Sequence, residues 1–204
     1  MSDKYIINSS TLTGIADAIR EKTGSSDAFT PSQMISAINN ISTGATAIKP
    51  FQYLASTITE YSGSEGYIFT QAFSSCSSLT NVSFPNCVYI DSAAFYKCKS
   101  LASIEFPECT FIGSSAFSGC NLISVASFPV CEYIKVNAFL GCASLVSLYL
   151  DKVSSVTKLA SPNAFNNTPL SAGGSGKIYV PSSLLGDFFG DSYWSNVRNR
   201  LVGV

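Results

Sequence analysis

From residue 67 to residue 145 the apolar positions recur every 22 residues. Ala72-Phe73 returns as Ala94-Phe95, Ala116-Phe117 and Ala138-Phe139, and Phe84-Pro85 returns as Phe106-Pro107 and Phe128-Pro129. Tyr67-Ile68 returns as Tyr89-Ile90, Phe111-Ile112 and Tyr133-Ile134, while Leu79 returns as Leu101, Ile123 and Leu145. An unbroken period of this length predicts a solenoid, in which each unit is one coil that buries its apolar side only against its neighbours.

Within a unit, the alternation Val82-x-Phe84 predicts a short strand with both residues inward and Ser83 outward. Pro85 removes a ladder donor and holds the residue before it extended, so the strand ends there. Cys87 and Ile90 return inward on a second extended arm, and Ala94-Phe95 closes the coil through a turn or short helix. Stacked coils then form columns of Phe, Leu, Ile and Cys.

Every cysteine falls on one ruler: Cys76, Cys87, Cys98, Cys109, Cys120, Cys131 and Cys142 are each eleven residues apart. No C-x-x-C pair of the kind zinc sites use occurs. The number is odd and no secretory leader is evident, which speaks against a disulfide framework. Two columns of small, buried, free thiols fit the spacing instead.

The period decays at both ends. Phe51 and Ile68 keep register with Phe73 and Ile90, but Glu60 and Ser62 stand where the strand's apolar pair belongs. Residues 51–70 are therefore expected to be a degenerate first coil, with "QYLASTITEY" a candidate edge hairpin. Downstream, Leu148, Leu150 and Val156 keep register, and Ala164-Phe165 arrives four residues late; the extra residues are assigned to a loop, since an insertion inside a coil would shift its inward pattern. "SAGGSG" at 171–176 is a candidate flexible loop, and "KIYVP" is expected to be the last strand, with Val180-Pro181 copying Phe84-Pro85. Ser182 can cap a short helix through Phe189, and Asp191 a second helix carrying Trp194, Val197 and Leu201. A lone tryptophan could belong to a glycan site; its place in an amphipathic terminal helix favours a lid on the final coil.

Residues 9–42 follow a helical period. Leu12, Ile15, Ala16 and Ile19 share one face, "TPSQ" at 30–33 forms a capping box with Thr30 as N-cap, and Met34, Ile35, Ile38 and Ile41 share a second face. Such a helical hairpin is too small to bury a core alone, so its apolar faces are expected to dock or self-associate. "STGATAIKP" follows as a short linker. The division expected is an attachment or oligomerisation module over 1–45, a solenoid over 51–181 and a helical cap over 182–204.

Only 12% of the residues are charged and the net charge is −1, with twelve basic residues scattered singly; nucleic acid is not an expected partner. No run approaches the length of a membrane span, so no membrane insertion is expected, and synthesis in a reducing cytoplasm is. Histidine is absent, which removes imidazole-based triads and most zinc sites; no metal or cofactor is expected. "GGSGK" lacks the spacing and context of a phosphate loop. Glu105, Glu108, Glu132 and Asp151 are the candidate glycosidase carboxylates, but outward solenoid positions lack the burial that tunes a carboxyl. No catalytic residue is assigned.

A surface remains. The outward strand positions run Asn81 and Ser83, Ser103 and Glu105, Val125 and Ser127, Ser147 and Tyr149. Asn81, Ser83, Ser103, Glu105, Ser127, Ser147 and Tyr149 could hydrogen-bond a glycan or a protein, or could form a plain solvated sheet.

The unit A-F-x-x-C-x-x-L-x-x-[VI]-x-F-P-x-C-x-x-I resembles the BspA-like leucine-rich repeat, found in bacterial surface proteins, some protozoan ones and phage tail proteins. The resemblance covers roughly residues 51–181 and implies an open right-handed solenoid used in adhesion, without enzymatic activity arising from the repeat. "TLTGIADAIREKTGSSDAFTPSQMISAINNI" is similar to a segment at the head of tail and baseplate-associated proteins of phages infecting gut Firmicutes. Together these imply a non-enzymatic tail accessory or receptor-binding protein of the virion. Its expected partners are other tail or baseplate proteins, a host surface glycan or protein, and further copies of itself, with a trimer the guess. A bacterial cell-surface adhesin and a tail-associated glycan hydrolase are the alternatives.

Overall fold

The computed structural model describes residues 58–204 together with the two-residue strand β1 (Ile6–Ile7). The helical hairpin, with Leu12, Ile15, Ile19, Met34, Ile35, Ile38 and Ile41, and the Phe51 register lie outside the described residues.

Each of the first five coils carries two short strands, and the last two carry one. The first strands are β2 (Glu60–Ser62), β4 (Asn81–Ser83), β6 (Ser103–Glu105), β8 (Val125–Ser127), β10 (Ser147–Tyr149), β12 (Lys177–Val180) and β13 (Leu201–Gly203). The second strands are β3 (Tyr67–Ile68), β5 (Tyr89–Ile90), β7 (Phe111–Ile112), β9 (Tyr133–Ile134) and β11 (Lys158–Leu159). All pairings are parallel: the front holds sheets β1-β2-β4 and β6-β8-β10-β12-β13, and the back holds β3-β5-β7-β9-β11. The repeat fold of parallel strands is as the period predicts.

The core lies between the two faces and is made of columns. Phe73, Phe95, Phe117, Phe139 and Phe165 stack along the solenoid with centroids 5.1, 5.2, 5.4 and 5.8 Å apart and rings within 12° of parallel. Phe84, Phe106 and Phe128 form a second column at 6.1 and 5.4 Å. Offset stacking of this kind adds to the burial of each ring. The Ala-Phe segments close the coils as turns, not helices, bracketed by pairs of left-handed residues: Gln71 and Ser75, Ala93 and Lys97, Ser115 and Gly119, Asn137 and Gly141. Their backbones hydrogen-bond from coil to coil, with Phe73, Phe95, Phe117 and Phe139 N–H donating to the carbonyls of Ala94, Ala116, Ala138 and Ala164.

All seven cysteines are buried and unpaired. Cys98, Cys120 and Cys142 Sγ donate to the carbonyls of Phe73, Phe95 and Phe117 at 3.0, 3.0 and 3.1 Å. Cys87, Cys109 and Cys131 Sγ donate to the carbonyls of Tyr89, Phe111 and Tyr133 at 3.4, 3.3 and 3.4 Å. Six of the seven thiols thus donate their hydrogen to a carbonyl of the chain around them, and all seven pack as small buried side chains.

Both ends depart from the expected register. In the first coil Tyr61, not Glu60 or Ser62, points inward, because β2 pairs as Glu60↔Asn81, Tyr61↔Val82 and Ser62↔Ser83. Gly63 follows where the next coil has Phe84, and the Tyr61 ring covers the gap, 5.2 Å from Phe84 and 4.9 Å from Phe73. On its far side β2 pairs in parallel with β1, while residues 52–57 of the candidate edge hairpin lie outside the described residues. In the late coil, Leu159 rather than Val156 pairs with Ile134. Three of the four extra residues therefore precede β11 and one follows it, where Ser161 caps the 3₁₀ turn Pro162–Phe165 by accepting from Asn163 N–H.

The "SAGGSG" loop is folded rather than loose. Gly174 N–H donates to Ser171 and Gly176 N–H to Pro169, and a Cβ on Gly174 would collide with the Pro169 carbonyl. Beyond β12, a 3₁₀ turn Ser182–Leu184 runs into α1 (Leu185–Gly190); Ser182 lies inside the turn and gives no side-chain cap. Asp191 caps the 3₁₀ helix Ser192–Arg200, accepting from Tyr193 N–H at 2.7 Å. Leu201 is not helical: it opens β13, which pairs with β12 and makes one more coil than "KIYVP" alone implied.

Candidate functional site

The front sheet presents the outward row as a register-matched grid. Ser103, Val125, Ser147 and Lys177 align across four strands, as do Glu105, Ser127, Tyr149 and Tyr179. Asn81 and Ser83 belong to the other front sheet, where they align with Glu60 and Ser62. Asn81, Ser83, Ser103 and Glu105 are exposed; Ser127, Ser147 and Tyr149 are half-buried. Strands pack with neighbours about 4.8 Å apart, so the row repeats at a spacing fixed by the backbone. None of the seven side chains hydrogen-bonds within the described residues, which leaves their hydroxyl, carboxamide and carboxylate groups available to a partner.

Tyr179 was missed in the sequence. Its ring stacks on Tyr149 with centroids 4.6 Å apart and 13° between planes. The signal was present: Tyr179 precedes Val180-Pro181 as Ser83 precedes Phe84-Pro85, so the outward row extends one coil beyond Tyr149.

The back sheet carries a second row, recognised as a repeat column but not as a surface. Tyr67, Tyr89 and Phe111 stack at 4.6 and 4.1 Å within 7° of parallel, and Tyr133 continues the row at 6.2 Å. Phe69 closes one end, 4.8 Å from Tyr67, and Lys158 closes the other, with Nζ 5.1 Å from the Tyr133 centroid and donating to its hydroxyl at 3.1 Å. Ring faces are therefore spent on one another; the row offers edges and phenol hydroxyls, not flat platforms.

Asp91 anchors this row, accepting from Tyr67 Oη at 3.0 Å, Thr70 Oγ1 at 2.7 Å and Ser92 N–H at 2.6 Å. Partial burial works against its ionisation, but the three donors together outweigh it and hold its carboxyl below the usual range. Packing against its neighbours and then the bond to Asp91 push Tyr67 up to about 12.

Glu105, Glu108 and Glu132 are exposed and Asp151 is half-buried. Among the described residues, no three Cys, Asp or Glu side chains come together as a metal-binding group, and no helix is long and apolar enough to cross a membrane. Burial first pushes Cys87 up to about 11 and Cys131 up to about 12, and it raises Cys109 and Cys142 as well. These thiols are held in the protonated, unreactive form.

A model of the BspA type leucine-rich repeat region matches residues 66–184 in six copies. Among solved structures, a leucine-rich repeat protein from Bacteroides ovatus is 22% identical over 72% of this chain and 37% of its own, with a TM-score of 0.56. The Treponema pallidum leucine-rich repeat protein is 30% identical over 46% of each chain, with a TM-score of 0.44. The matched part thus spans less than half of either protein. No protein of curated function matches the chain.

Proposed function

The chain belongs to the BspA type leucine-rich repeat family, and from that premise we propose that it is a non-enzymatic receptor-binding or accessory protein of a phage tail. In this reading the outward face of the front sheet meets a glycan or protein on the bacterial surface. The observation that carries it is the row Ser103, Glu105, Ser127, Ser147 and Tyr149, whose polar groups stand in register on a rigid sheet without partners among the described residues. A parallel sheet backed by stacked phenylalanines moves little, so such a row can engage a repetitive partner without an ordering penalty.

Residues 1–45 supply the attachment in this proposal, through Leu12, Ile15, Ile19, Met34, Ile35, Ile38 and Ile41, to another tail component and to further copies of the chain, a trimer being the expected assembly. The similarity of "IADAIREKTG" and "FTPSQM" to the heads of tail-associated proteins supports it. Localisation is then the virion tail, after synthesis in the host cytoplasm.

The experiment is mass spectrometry of purified particles from a strain carrying the gene, with wild type compared against a chain in which residues 9–42 are replaced by a short Gly/Ser linker. Wild type in the particle and the variant absent from it supports the proposal. A wild-type chain absent from particles but present on the cell surface favours a cellular adhesin, and release of reducing sugar from host wall polysaccharide favours a hydrolase.

A further inference from the structure

Three segments enclose a cleft near the C-terminal end, away from the strand rows. The 3₁₀ turn Pro162–Phe165 with Asn166 and Asn167 forms one wall, the loop Ser171–Gly173 a second, and the 3₁₀ helix Ser192–Arg200 a third. The space measures about 420 Å³, within the range of small-molecule sites.

The walls are fixed by internal bonds. Thr168 Oγ1 donates to the Phe165 carbonyl at 2.6 Å and accepts from Leu170 N–H at 3.1 Å, while Ser171 Oγ donates to the Thr168 carbonyl at 2.7 Å. Arg200 Nη2 reaches the Ala172 carbonyl at 3.4 Å and ties the loop to the helix. Asn196 stands between Trp194 and Val197, both buried, so its place on the wall is set by the core.

The lining has a definite chemistry. Asn166, Asn167 and Asn196 contribute three exposed carboxamides, none of which hydrogen-bonds through its side chain within the described residues. Pro162 supplies the accessible apolar surface, Phe165 and Val197 being only 1% and 2% exposed, and no carboxylate, ammonium or guanidinium is among the lining residues. Each carboxamide offers two donors and an acceptor without net charge. A partner that matches carries no positive charge, has donors and acceptors around its rim, and needs only a small apolar face to meet Pro162. A pyranose ring has all three properties.

We propose that this cleft is a binding subsite for a neutral pyranose, such as one residue of a surface glycan. The subsite rests on the reading of the chain as a binding scaffold but not on the front face, and it uses none of the residues of that face. Cationic sugars are disfavoured because the lining holds no carboxylate, and an extended peptide is disfavoured because the lining presents side-chain amides rather than a strand edge.

The test is a ¹H–¹⁵N NMR titration of the full chain with glucose, galactose, N-acetylglucosamine and rhamnose at millimolar concentrations. The expected result is that at least one sugar shifts the side-chain amides of Asn166 and Asn196 and the backbone amides of Ser171–Gly173. Asn196→Ala should then weaken binding about tenfold, as the loss of one well-placed hydrogen-bonding group does, with an unchanged melting temperature. Ser127→Arg on the front sheet should leave the titration unchanged, whatever it does to attachment to cells, so the two readings fail separately. Absence of any shift at these amides with all four sugars, or wild-type affinity in both Asn196→Ala and Asn166→Ala, would overturn the proposal.

Discussion

Trp194 Nε1 donates a 2.8 Å hydrogen bond to the carbonyl of Thr157, and Thr157 Oγ1 in turn donates at 2.8 Å to the carbonyl of Cys131. The indole, fully buried, lies 6.0 Å from Phe165 at the end of the phenylalanine column and edge-on to Phe188 at 5.0 Å. A stacked core exposes its last layer unless something covers it; this single ring does so, and its one polar atom is paired.

Trp194→Ala should therefore cost about 3–5 kcal/mol, and Trp194→Phe about 1–3 kcal/mol through the unpaired Thr157 carbonyl. Denaturant melts followed by far-ultraviolet circular dichroism measure both. As the chain has one tryptophan, its fluorescence should shift to the red in a single step on unfolding. A Trp194→Ala protein as stable as wild type would show that the ring is not the lid.

The thiols give a pH signature. Cys87 and Cys131, held at about 11 and about 12, are raised above the ordinary thiol value. A raised folded-state value means the folded chain keeps protons that the unfolded chain releases, so the stability is fully present below about pH 8.5 and is lost as pH rises toward 11–12. The melting temperature should hold steady from pH 6 to 8 and fall progressively above about pH 9. At pH 8 iodoacetamide should label none of the seven thiols in the native protein and all of them in guanidinium, as read by intact mass. Rapid native labelling would contradict the two buried columns.

The turns make a conformational prediction of opposite signs. Ala93 and Gly141 both sit at left-handed backbone, with φ of 55° and 72°. A Cβ at Gly141 would meet nothing within 4 Å, so Gly141→Ala isolates the backbone effect and should destabilise by about 1 kcal/mol. Ala93→Gly should stabilise by about 0.5–1 kcal/mol, strain relief outweighing the added freedom of the unfolded chain. Urea melts of the two variants beside wild type decide it.

The middle of the solenoid could be read from the period because one residue type per position repeats: Phe95, Phe117 and Phe139 have the same neighbours above and below. Where a coil changed length, the period misled. Tyr61 looked outward because one residue is missing between it and Ile68, and Val156 looked like the heir of Ile134 because the insertion before β11 is not marked by any change of composition. Leu201 continues the helical spacing of Trp194 and Val197, while the strand character of β13 comes from pairing with β12, a contact no local pattern carries. The outward row was legible through Tyr149 from alternation alone. The cleft at Asn166, Asn167 and Asn196 was not, since it joins segments some 30 residues apart through a folded loop.

Attachment to bacteria tests the central claim that the front sheet is the recognition surface. Fluorescently labelled chain is applied to whole cells of a panel of gut Firmicutes, beside Ser103→Arg/Ser127→Arg, which places two large cations on the adjacent strands β6 and β8 at outward positions. The account predicts that wild type labels at least one strain saturably and that the double variant, with an unchanged melting temperature, loses at least about tenfold in affinity, equivalent to about 1.4 kcal/mol. Saturable binding by both proteins with equal affinity would contradict it.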